Sequence, residues 1–384
     1  MPVQERDVEE LLAALVRIDS VTPWLIPDGA GEGAIARFIA DWLAPFGVEV
    51  TLEEVEPGRP NVLARLPGSG GGRSLCLNAH SDTVGYANWA DRALRPERRG
   101  DRLIGVGVAD DKSSVAIGML ALRELASSGA RLRGDVVLAC TVDEEGVSIG
   151  TFDLARRHRY DGAIILEPEA AGRVVVEHQG FGWIDIIVHG RAAHGSTPDQ
   201  GIDAIVHMAE VVQGLAALDA SFAAHPDRLN GRTVLHTGTN AGGTDYATYP
   251  SRCVLGIEIG TQPGETLAAR VADIEAIFAG CRTRRPDFSA EIEIKVERDP
   301  FRASGHEALL ASADRAALRA IGRPHEQIGV NAWMDSPIMQ NAGIPTISIG
   351  AQGGNFHSPD EWVSLPECVT LVEIVRETAR DFCA

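Results

Sequence analysis

The chain has 384 residues, 45% of them hydrophobic and 23% charged, and this length suits two domains better than one simple core. Its formal net charge of −19 repels phosphate groups, which argues against nucleic acid and membrane partners and suits a protein that binds cations. No secretory or membrane-spanning pattern is evident, so we expect a cytoplasmic protein. The six cysteines are scattered without a Cys-x-x-Cys pair, which indicates reduced packing residues rather than disulfides or a thiolate metal site.

Helical and strand patterns alternate along the first part of the chain, as in a mostly parallel sheet covered by helices. Apolar spacing predicts helices at 4–19 and 31–46, a helix through Met119 and Leu125, and strands at 48–52, 61–66, 75–80, 135–142 and 163–166. The class expected for this part of the chain is therefore α/β.

The pattern changes after residue 178, where residues 181–189 alternate like a half-exposed antiparallel strand. The elements predicted next are a helix at 200–217, strands at 232–238 and 252–259, a helix at 264–280 and a strand at 289–297. Helix and strand patterns of the first kind then return, with helices at 305–321, from 334 onward and at 365–382, and a strand at 345–349. We expect residues 1–178 and 298–384 to form a catalytic domain and residues 179–297 an inserted α+β domain.

The buried strand that ends at His80 is followed two residues later by Asp82. Ligands of open α/β sheets bind at the carboxyl ends of the strands, so a metal on His80 with Asp82 accepting the other ring N–H is one interpretation. A hydrogen-bonded loop histidine is the other. The motif alone does not decide between them.

Three further apolar segments lead into or flank carboxylates, at Asp110 and Asp111, at Glu144 and Glu145, and at Glu167 before Pro168. Each has a simpler interpretation, such as a helix N-cap for the aspartates or a solvated turn for the glutamates. The glycines before Asp110 do not have the spacing of a phosphate loop. The recurrence of carboxylates beside apolar segments, together with His80, favours a shared metal centre.

Histidine and carboxylate donors without thiolates suit zinc, cobalt or manganese. Two such ions bridged by a carboxylate activate a water and polarise a carbonyl, while a spare carboxylate serves as general base. This chemistry predicts hydrolysis of an amide or ester.

Together these motifs closely resemble those of the zinc-dependent aminoacylases and carboxypeptidases that include acetylornithine deacetylase, succinyl-diaminopimelate desuccinylase and the carboxypeptidase G type. The resemblance covers nearly the whole chain. It implies two divalent ions per subunit, zinc with cobalt or manganese as alternatives, with Glu144 as general base and Asp82 supporting His80. It implies a cis peptide between Asp110 and Asp111, with Asp110 bridging the ions, and these metal ligands: His80, Asp110, Glu145, Glu167 and His357.

The resemblance also implies a role for His194 in the inserted domain. In this family the equivalent histidine reaches into the partner subunit's active site and stabilises the oxyanion. A homodimer formed through the inserted domain, which closes over the site as a lid, is therefore expected.

Two positions depart from the family pattern for binding a substrate carboxylate. Gly260 stands where many relatives have an arginine, and Ala247 where they have an asparagine. Arg252 or Arg302 could substitute. The candidate substrate contacts are Gly243, Arg252 and Asn355.

The function expected from the sequence is hydrolysis of a small N-acyl amino acid or related amide. A metallo-exopeptidase with the same chemistry is the nearest alternative, followed by an N-carbamoyl amidohydrolase. A non-catalytic protein that keeps the fold is disfavoured because every expected ligand and Glu144 are present.

Overall fold

A computed structural model describes residues 3–129 and 132–384 and confirms the α/β class. Its helices are α1 Glu5–Val16, α2 Gly33–Leu43, α3 Lys112–Ser127, α4 Ile149–Arg157, α5 Ala204–Phe222, α6 Leu267–Arg284, α7 Glu307–Ile321, α8 Ser336–Asn341 and α9 Leu365–Phe382. Its strands are β1 Glu49–Glu56, β2 Arg59–Leu66, β3 Leu75–His80, β4 Glu97–Arg99, β5 Arg102–Ile104, β6 Val136–Thr141, β7 Gly162–Leu166, β8 Arg173–His178, β9 Gly180–His189, β10 Leu235–Gly242, β11 Arg252–Thr261, β12 Ser289–Arg298, β13 Phe301–Arg302, β14 Glu326–Val330, β15 Thr346–Ile349, β16 Gly353–Gly354 and β17 Trp362–Ser364.

The chain divides into two compact units. The first unit comprises residues 1–176, 303–327 and 334–384, and the second comprises residues 177–302 and 328–333. The expected boundaries were 178/179 and 297/298, so they differ from the observed ones by two and five residues. The short segment 328–333, expected in the catalytic domain, is part of the second unit.

The first unit is built on a sheet whose strands run in the order β1, β2, β6, β3, β7, β15, β8. The four strands β6, β3, β7 and β15 are parallel, while β1, β2 and β8 pair antiparallel at the two sides. Every residue of the four parallel strands is buried, which explains why β6 and β7 are almost entirely apolar without alternation. Helix α3 packs against α1 and α9, and it also contacts β3.

The second unit is a four-stranded antiparallel sheet in the order β10, β11, β9, β12. One face of this sheet packs against α5 and α6, and on the other face β9 presents mostly half-buried residues, as the alternation along β9 predicted. Asp203 caps α5 by accepting the N–H groups of Ile205 and Val206, and Thr266 caps α6 through the N–H of Ala269.

Several predicted bounds shift. Helix 4–19 ends at Val16, and helix 31–46 ends at Leu43 before a 3-10 turn that contains Pro45. The helix predicted at 200–217 runs from Ala204 to Phe222. Its start is fixed by the Asp203 cap.

Candidate metal centre

Three neighbouring parallel strands each end at or just before the candidate site. β3 ends at His80, which is paired with Thr141 at the end of β6, and β7 ends one residue before Glu167. Nε2 of His80 lies 3.0 Å from Oδ1 of Asp110 and 3.7 Å from Oε1 of Glu167. The adjacent carboxyl ends of parallel strands therefore bring residues far apart in sequence to one place.

Asp110 lies between the two candidate histidine ligands. Its Oδ1 is 3.0 Å from Nε2 of His80, and its Oδ2 is 3.2 Å from Nε2 of His357. The peptide bond between Asp110 and Asp111 is cis, as the resemblance implied. One carboxylate thus presents a different oxygen to each imidazole, which is the arrangement needed to bridge two ions.

A buried glutamate, Glu361, holds the loop that carries Asp110. Its carboxylate accepts three main-chain N–H groups of that loop, those of Gly107, Ala109 and Asp110. Burial raises the pKa of Glu361 to about 7, with the negative charge of Asp110 acting in the same direction. The side chain of Asp111, the residue before α3, accepts the main-chain N–H of His80 at 3.2 Å.

The turn after β6 carries Glu144 and Glu145, and Asp82 fixes its main chain. Oδ1 of Asp82 accepts the N–H of Glu144 at 3.0 Å, and Oδ2 accepts the N–H of Glu145 at 3.1 Å. Nδ1 of His80 lies 3.4 Å from Oδ1 and 3.2 Å from the main-chain oxygen of Asp82. Asp82 therefore orients both the imidazole and the turn.

The candidate ligands form two overlapping groups whose donor atoms lie within 4.8 Å of one another. One group is His80, Glu144 and Glu167, and the other is His80, Asp110 and Glu145. Oε1 of Glu145 also lies 3.0 Å from Nε2 of His357. All five expected ligands and the expected base, Glu144, are thus in one cluster.

The charges in this cluster strongly perturb one another. Burial raises the pKa of Glu144 and Glu167 well above the usual range, and burial with the neighbouring Asp110 raises that of Glu145 to about 7. Asp110 and Glu145 raise the pKa of His357 to about 11. Burial acts to raise the pKa of Asp110 as well, but hydrogen bonds with His357 and His80 hold it below its ordinary value. The cluster carries more carboxylates than its two imidazoles balance.

This donor set fits divalent cations. Oε1 of Glu145 is buried and, despite its closeness to His357, makes no hydrogen bond of acceptable geometry among the described residues. Unpaired buried carboxylate oxygens are costly unless a cation or proton compensates them. Imidazole nitrogens and carboxylate oxygens together suit zinc, cobalt or manganese.

Comparison with known proteins places this cluster in a family. The sequence matches peptidase family M20/M25/M40 over residues 76–381. The chain belongs to this family. M20 peptidases are hydrolases that use divalent metals, and this chain is a hydrolase that acts on amide bonds.

Relatives cover the M20 chain over its full length. The N-formyl-4-amino-5-aminomethyl-2-methylpyrimidine deformylase of Bacillus subtilis (strain 168) is 26% identical over 421 residues, covering 100% of this chain and 96% of that protein. The acetylornithine deacetylase of Photorhabdus laumondii is 26% identical and covers 97% of both. Aminopeptidase PepT from Bacillus cereus has the same fold, with a TM-score of 0.81, 21% identity and complete coverage of both chains.

In this M20 chain His194 belongs to the second unit and is exposed. Its Nδ1 is 2.7 Å from Oγ of Ser196 and accepts the N–H of Ser196 at 3.2 Å. Because Nδ1 is an acceptor, the neutral ring carries its proton on Nε2. Nε2 is thus a hydrogen-bond donor, as stabilising an oxyanion requires.

Two of the candidate substrate contacts lie together, and the third is elsewhere. Gly243 and Arg252 line a cavity of about 340 Å³ in the second unit. Asn355 belongs to the first unit, where its side chain donates to the main-chain oxygen of Asp360 at 3.2 Å. Arg302, the alternative to Arg252, is paired with Glu177 at 2.9 Å.

Three residues at this centre were not assigned a role from the sequence. Glu361 and Asp143 act on the main chain of the ligand loops, and Asp335 is a buried carboxylate that helps to raise the pKa of Glu144, after the larger effect of burial. Glu361 lies in the same His-Ser-Pro-Asp-Glu segment as His357, and this proximity was the one available signal. Nothing in the sequence around Asp335 marks it as a neighbour of Glu144.

Proposed function

We propose that this M20 hydrolase removes a small acyl group, formyl or acetyl, from a small amine. Two divalent ions, zinc in our proposal, would be held by His80, Asp110, Glu145, Glu167 and His357. The observation that carries the proposal is the position of Asp110, whose two oxygens approach two different imidazoles. When bound, the ions would polarise the amide carbonyl and lower the pKa of the attacking water.

Proton transfer, positioning of the carboxylates and stabilisation of the oxyanion are carried out by side chains of the protein. Glu144 takes a proton from the attacking water and returns it to the leaving amine, as a carboxylate beside the candidate ligands His80 and Glu167. Asp82 keeps Glu144 and Glu145 in place through their N–H groups. His194, contributed by a second subunit, donates Nε2–H to the oxygen that becomes negative.

A homodimer formed through the second unit is part of the proposal. Among the described residues, strand β10 pairs only with β11, and every residue of β10 after Leu235 is exposed. Ile205 and Val206 on α5 are exposed apolar side chains, which suit contact with a second copy. Among the described residues, α5 is the one helix whose length and composition would also allow it to cross a membrane, which is weak evidence for a span.

Position 260 supports a substrate that is not recognised through a free α-carboxylate. A Cβ on Gly260 would lie 2.4 Å from Oε1 of Gln179 and 3.2 Å from the main-chain oxygen of Val234, so a side chain here would have to displace Gln179. Gln179 is itself buried and bonded to Asn331 and to two main-chain groups. A neutral amide occupies the space, and it offers no charge to a carboxylate.

The names of two relatives support the acyl group of the proposal. One is a deformylase of an aminopyrimidine and the other an acetylornithine deacetylase, so both names describe removal of a formyl or acetyl group. We also propose that the protein is cytoplasmic, which the six unpaired buried cysteines support.

The test is a matched pair of substrates. Metal analysis comes first, and the proposal predicts about two zinc ions per chain, with activity lost on chelation and restored by zinc. The purified protein is then given N-acetyl and N-formyl amino acids and the corresponding amino-acid amides, which lack the free carboxylate. We expect kcat/KM values within about threefold of each other, because no arginine at 260 discriminates.

Four outcomes would contradict the proposal. A preference above about a hundredfold for the free acids would reject the substrate class and restore a carboxylate-binding role for Arg252. Selective turnover of dipeptides would favour the exopeptidase alternative, and selective turnover of N-carbamoyl compounds the carbamoyl alternative. No turnover of any amide after zinc, cobalt or manganese is added would reject the proposed catalysis.

A further inference from the structure

A buried ion-pair network that the proposed chemistry does not use ends at Asp143, the residue before Glu144. Its members come from three separate parts of the first unit: Thr22 in the loop after α1, Glu32 before α2, and Arg59 at the start of β2. All of these residues are buried, including the charged ones. The sequence pattern had not singled out any of them.

Arg59 is the centre of this network. Its Nε and Nη2 donate to the two oxygens of Glu32, both at 2.7 Å, and Nη2 also donates to Oδ1 of Asp143 at 2.8 Å. The hydroxyl of Thr22 donates to the same oxygen of Asp143 at 2.5 Å. Because a guanidinium is planar and permanently charged, this arrangement fixes the Asp143 carboxylate in both charge and direction.

Asp143 in turn shapes the segment that carries the catalytic carboxylates. Its Oδ2 accepts the N–H of Val147 at 3.0 Å, and its main-chain oxygen accepts the N–H of Ser148 at 2.6 Å. Asp143 has a φ of 66°, in the left-handed region that non-glycine residues seldom occupy. A Cβ on Gly146 would lie 2.8 Å from Oδ1 of Asp143, so the turn closes tightly around this carboxylate.

The turn is therefore held on two sides. Asp82 accepts the N–H groups of Glu144 and Glu145, while Arg59 holds Asp143. Three consecutive carboxylates, Asp143 to Glu145, repel one another, and such a segment needs a fixed positive charge to stay compact away from water.

We propose that Arg59 is a positioning residue for the hydrolysis, acting through Asp143 to hold Glu144 and Glu145 in their working geometry. Glu32 pairs with Nε and Nη2 of Arg59, and Glu56 accepts from its Nη1 at 2.8 Å. Thr22 adds a neutral hydrogen bond to the same oxygen of Asp143. The catalytic part of this inference depends on the proposed function, but the structural link from Arg59 to the turn does not.

The chain supplies a matched control on the same strand. Arg65 of β2 also pairs with two carboxylates, Glu49 and Asp135, both at 2.8 Å. Its side chain is 45% exposed, against 10% for Arg59. Arg65→Lys therefore repeats the chemical change of Arg59→Lys where no contact reaches the turn.

The first readout is amide hydrogen exchange in the metal-free protein, for a peptide that covers residues 142–150. Arg59→Lys keeps the positive charge but loses the planar guanidinium that donates to Glu32 and Asp143 together. We therefore expect about tenfold faster exchange in this peptide. Arg65→Lys should leave it unchanged. Thr22→Val removes the hydroxyl that donates to Asp143 and accepts from Nη2 of Arg59 at 3.1 Å, while keeping the charge of Arg59. We expect about threefold faster exchange in this variant, which tests the link if Arg59→Lys does not fold.

The second readout is steady-state kinetics of the zinc-loaded protein. Arg59→Lys should lower kcat by about ten- to a hundredfold while KM stays within about threefold, since a small displacement of the base affects the chemical step more than binding. Arg65→Lys should match the wild type in both constants.

The outcomes separate the inference from the proposed function. Wild-type exchange in the 142–150 peptide of Arg59→Lys, or of Thr22→Val where Arg59→Lys does not fold, overturns the link. Faster exchange with unchanged kcat overturns the positioning role. If the wild type hydrolyses no amide, the proposed function fails, while the exchange data still decide whether Arg59 holds the turn.

Discussion

Glu144 and Glu145 are adjacent in sequence, and both donate a main-chain N–H to Asp82, yet their side chains lie in different groups of the centre. The carboxylate of Glu145 lies with His80 and Asp110, and that of Glu144 lies with His80 and Glu167. Distance alone therefore permits Glu144 to be a metal ligand. Its assignment as general base comes from the family resemblance, and the two roles predict different results.

Replacing Glu144 by glutamine separates these roles. A glutamine keeps the shape and the main-chain bonds to Asp82 but cannot accept a proton, so we expect turnover to fall by at least about 10²-fold. Metal analysis should still find the wild-type number of ions. The control is Glu145→Gln, which should lose metal as well as activity. Loss of an ion from Glu144→Gln would instead identify Glu144 as a ligand.

The candidate metal ligands could be singled out from the sequence, whereas the side chains that hold the main chain of the ligand loops could not. His80, Asp110, Glu145, Glu167 and His357 stand at strand ends or in recognisable motifs, and the structure brings them within reach of one another. Asp143, Glu361 and Arg59 work by accepting or fixing N–H groups and carboxylates of distant loops. Such contacts depend on the tertiary fold, and one sequence carries no periodic signal for them.

Long periodic elements were predicted within a few residues, and short ones were missed. The parallel strands are mostly apolar, and the main helices have a helical spacing of apolar residues that persists over several turns. The missed elements are the short strands β4, β5, β16 and β17, together with β8, β13, β14 and α4. Five of these strands, β4, β5, β13, β16 and β17, have two or three residues, which is too short for any alternation to appear. Length does not explain why β8, β14 and α4 were missed, since they have six, five and nine residues.

Strand β8 ends at His178, which is fully buried in the second unit. Its Nδ1 donates to the main-chain oxygen of Gln179 at 2.9 Å, and Nε2 has no hydrogen-bond partner among the described residues. The ring contacts Phe301, with a centroid distance of 5.2 Å, and Trp333, with 6.3 Å. Burial lowers the pKa of His178 to about 4.

This low pKa predicts a stability that depends on pH. In the unfolded chain a histidine binds a proton near pH 6.5, whereas the folded chain resists protonation of His178 until about pH 4. The stabilising contribution is therefore complete above pH 6.5 and decreases as the pH falls from 6.5 to 4, by at most about 3 kcal/mol. His178→Asn keeps a donor to Gln179 without a titratable ring, and its stability should change less over this range.

Urea unfolding of both proteins without metal, followed by tryptophan fluorescence, measures this difference. Metal is removed so that its release in acid does not contribute. The comparison uses the change in unfolding free energy between pH 6.5 and pH 4.5 rather than the absolute values, since the other titrating groups are common to both proteins. Parallel pH curves for the two proteins would contradict the prediction.

At the scale of the whole molecule, the two units carry different parts of the proposed chemistry. All candidate ligands and Glu144 belong to the first unit, and His194 belongs to the second. The second unit also has the exposed edge strand β10 and the exposed apolar residues of α5. A site shared between subunits would make each monomer inactive alone.

Mixed dimers test this sharing directly. Glu144→Ala removes the base and His194→Ala removes the donor, so each protein alone should be nearly inactive. If His194 acts in the partner subunit, a mixed dimer has one site with both residues intact, in the subunit that carries His194→Ala. With random exchange of equal amounts, half of the dimers are mixed, so activity should return to about one quarter of the wild-type value.

The control is each variant taken alone through the same exchange procedure, because this separates recovery by mixing from incomplete loss. The mixture should also contain dimers by light scattering, since exchange requires them. If His194 acts within its own subunit, no mixed dimer has a complete site, and activity stays at the average of the two variants. If activity stays at this average although mixed dimers are confirmed, the shared site is rejected. The oxyanion donor would then have to come from the same chain as Glu144.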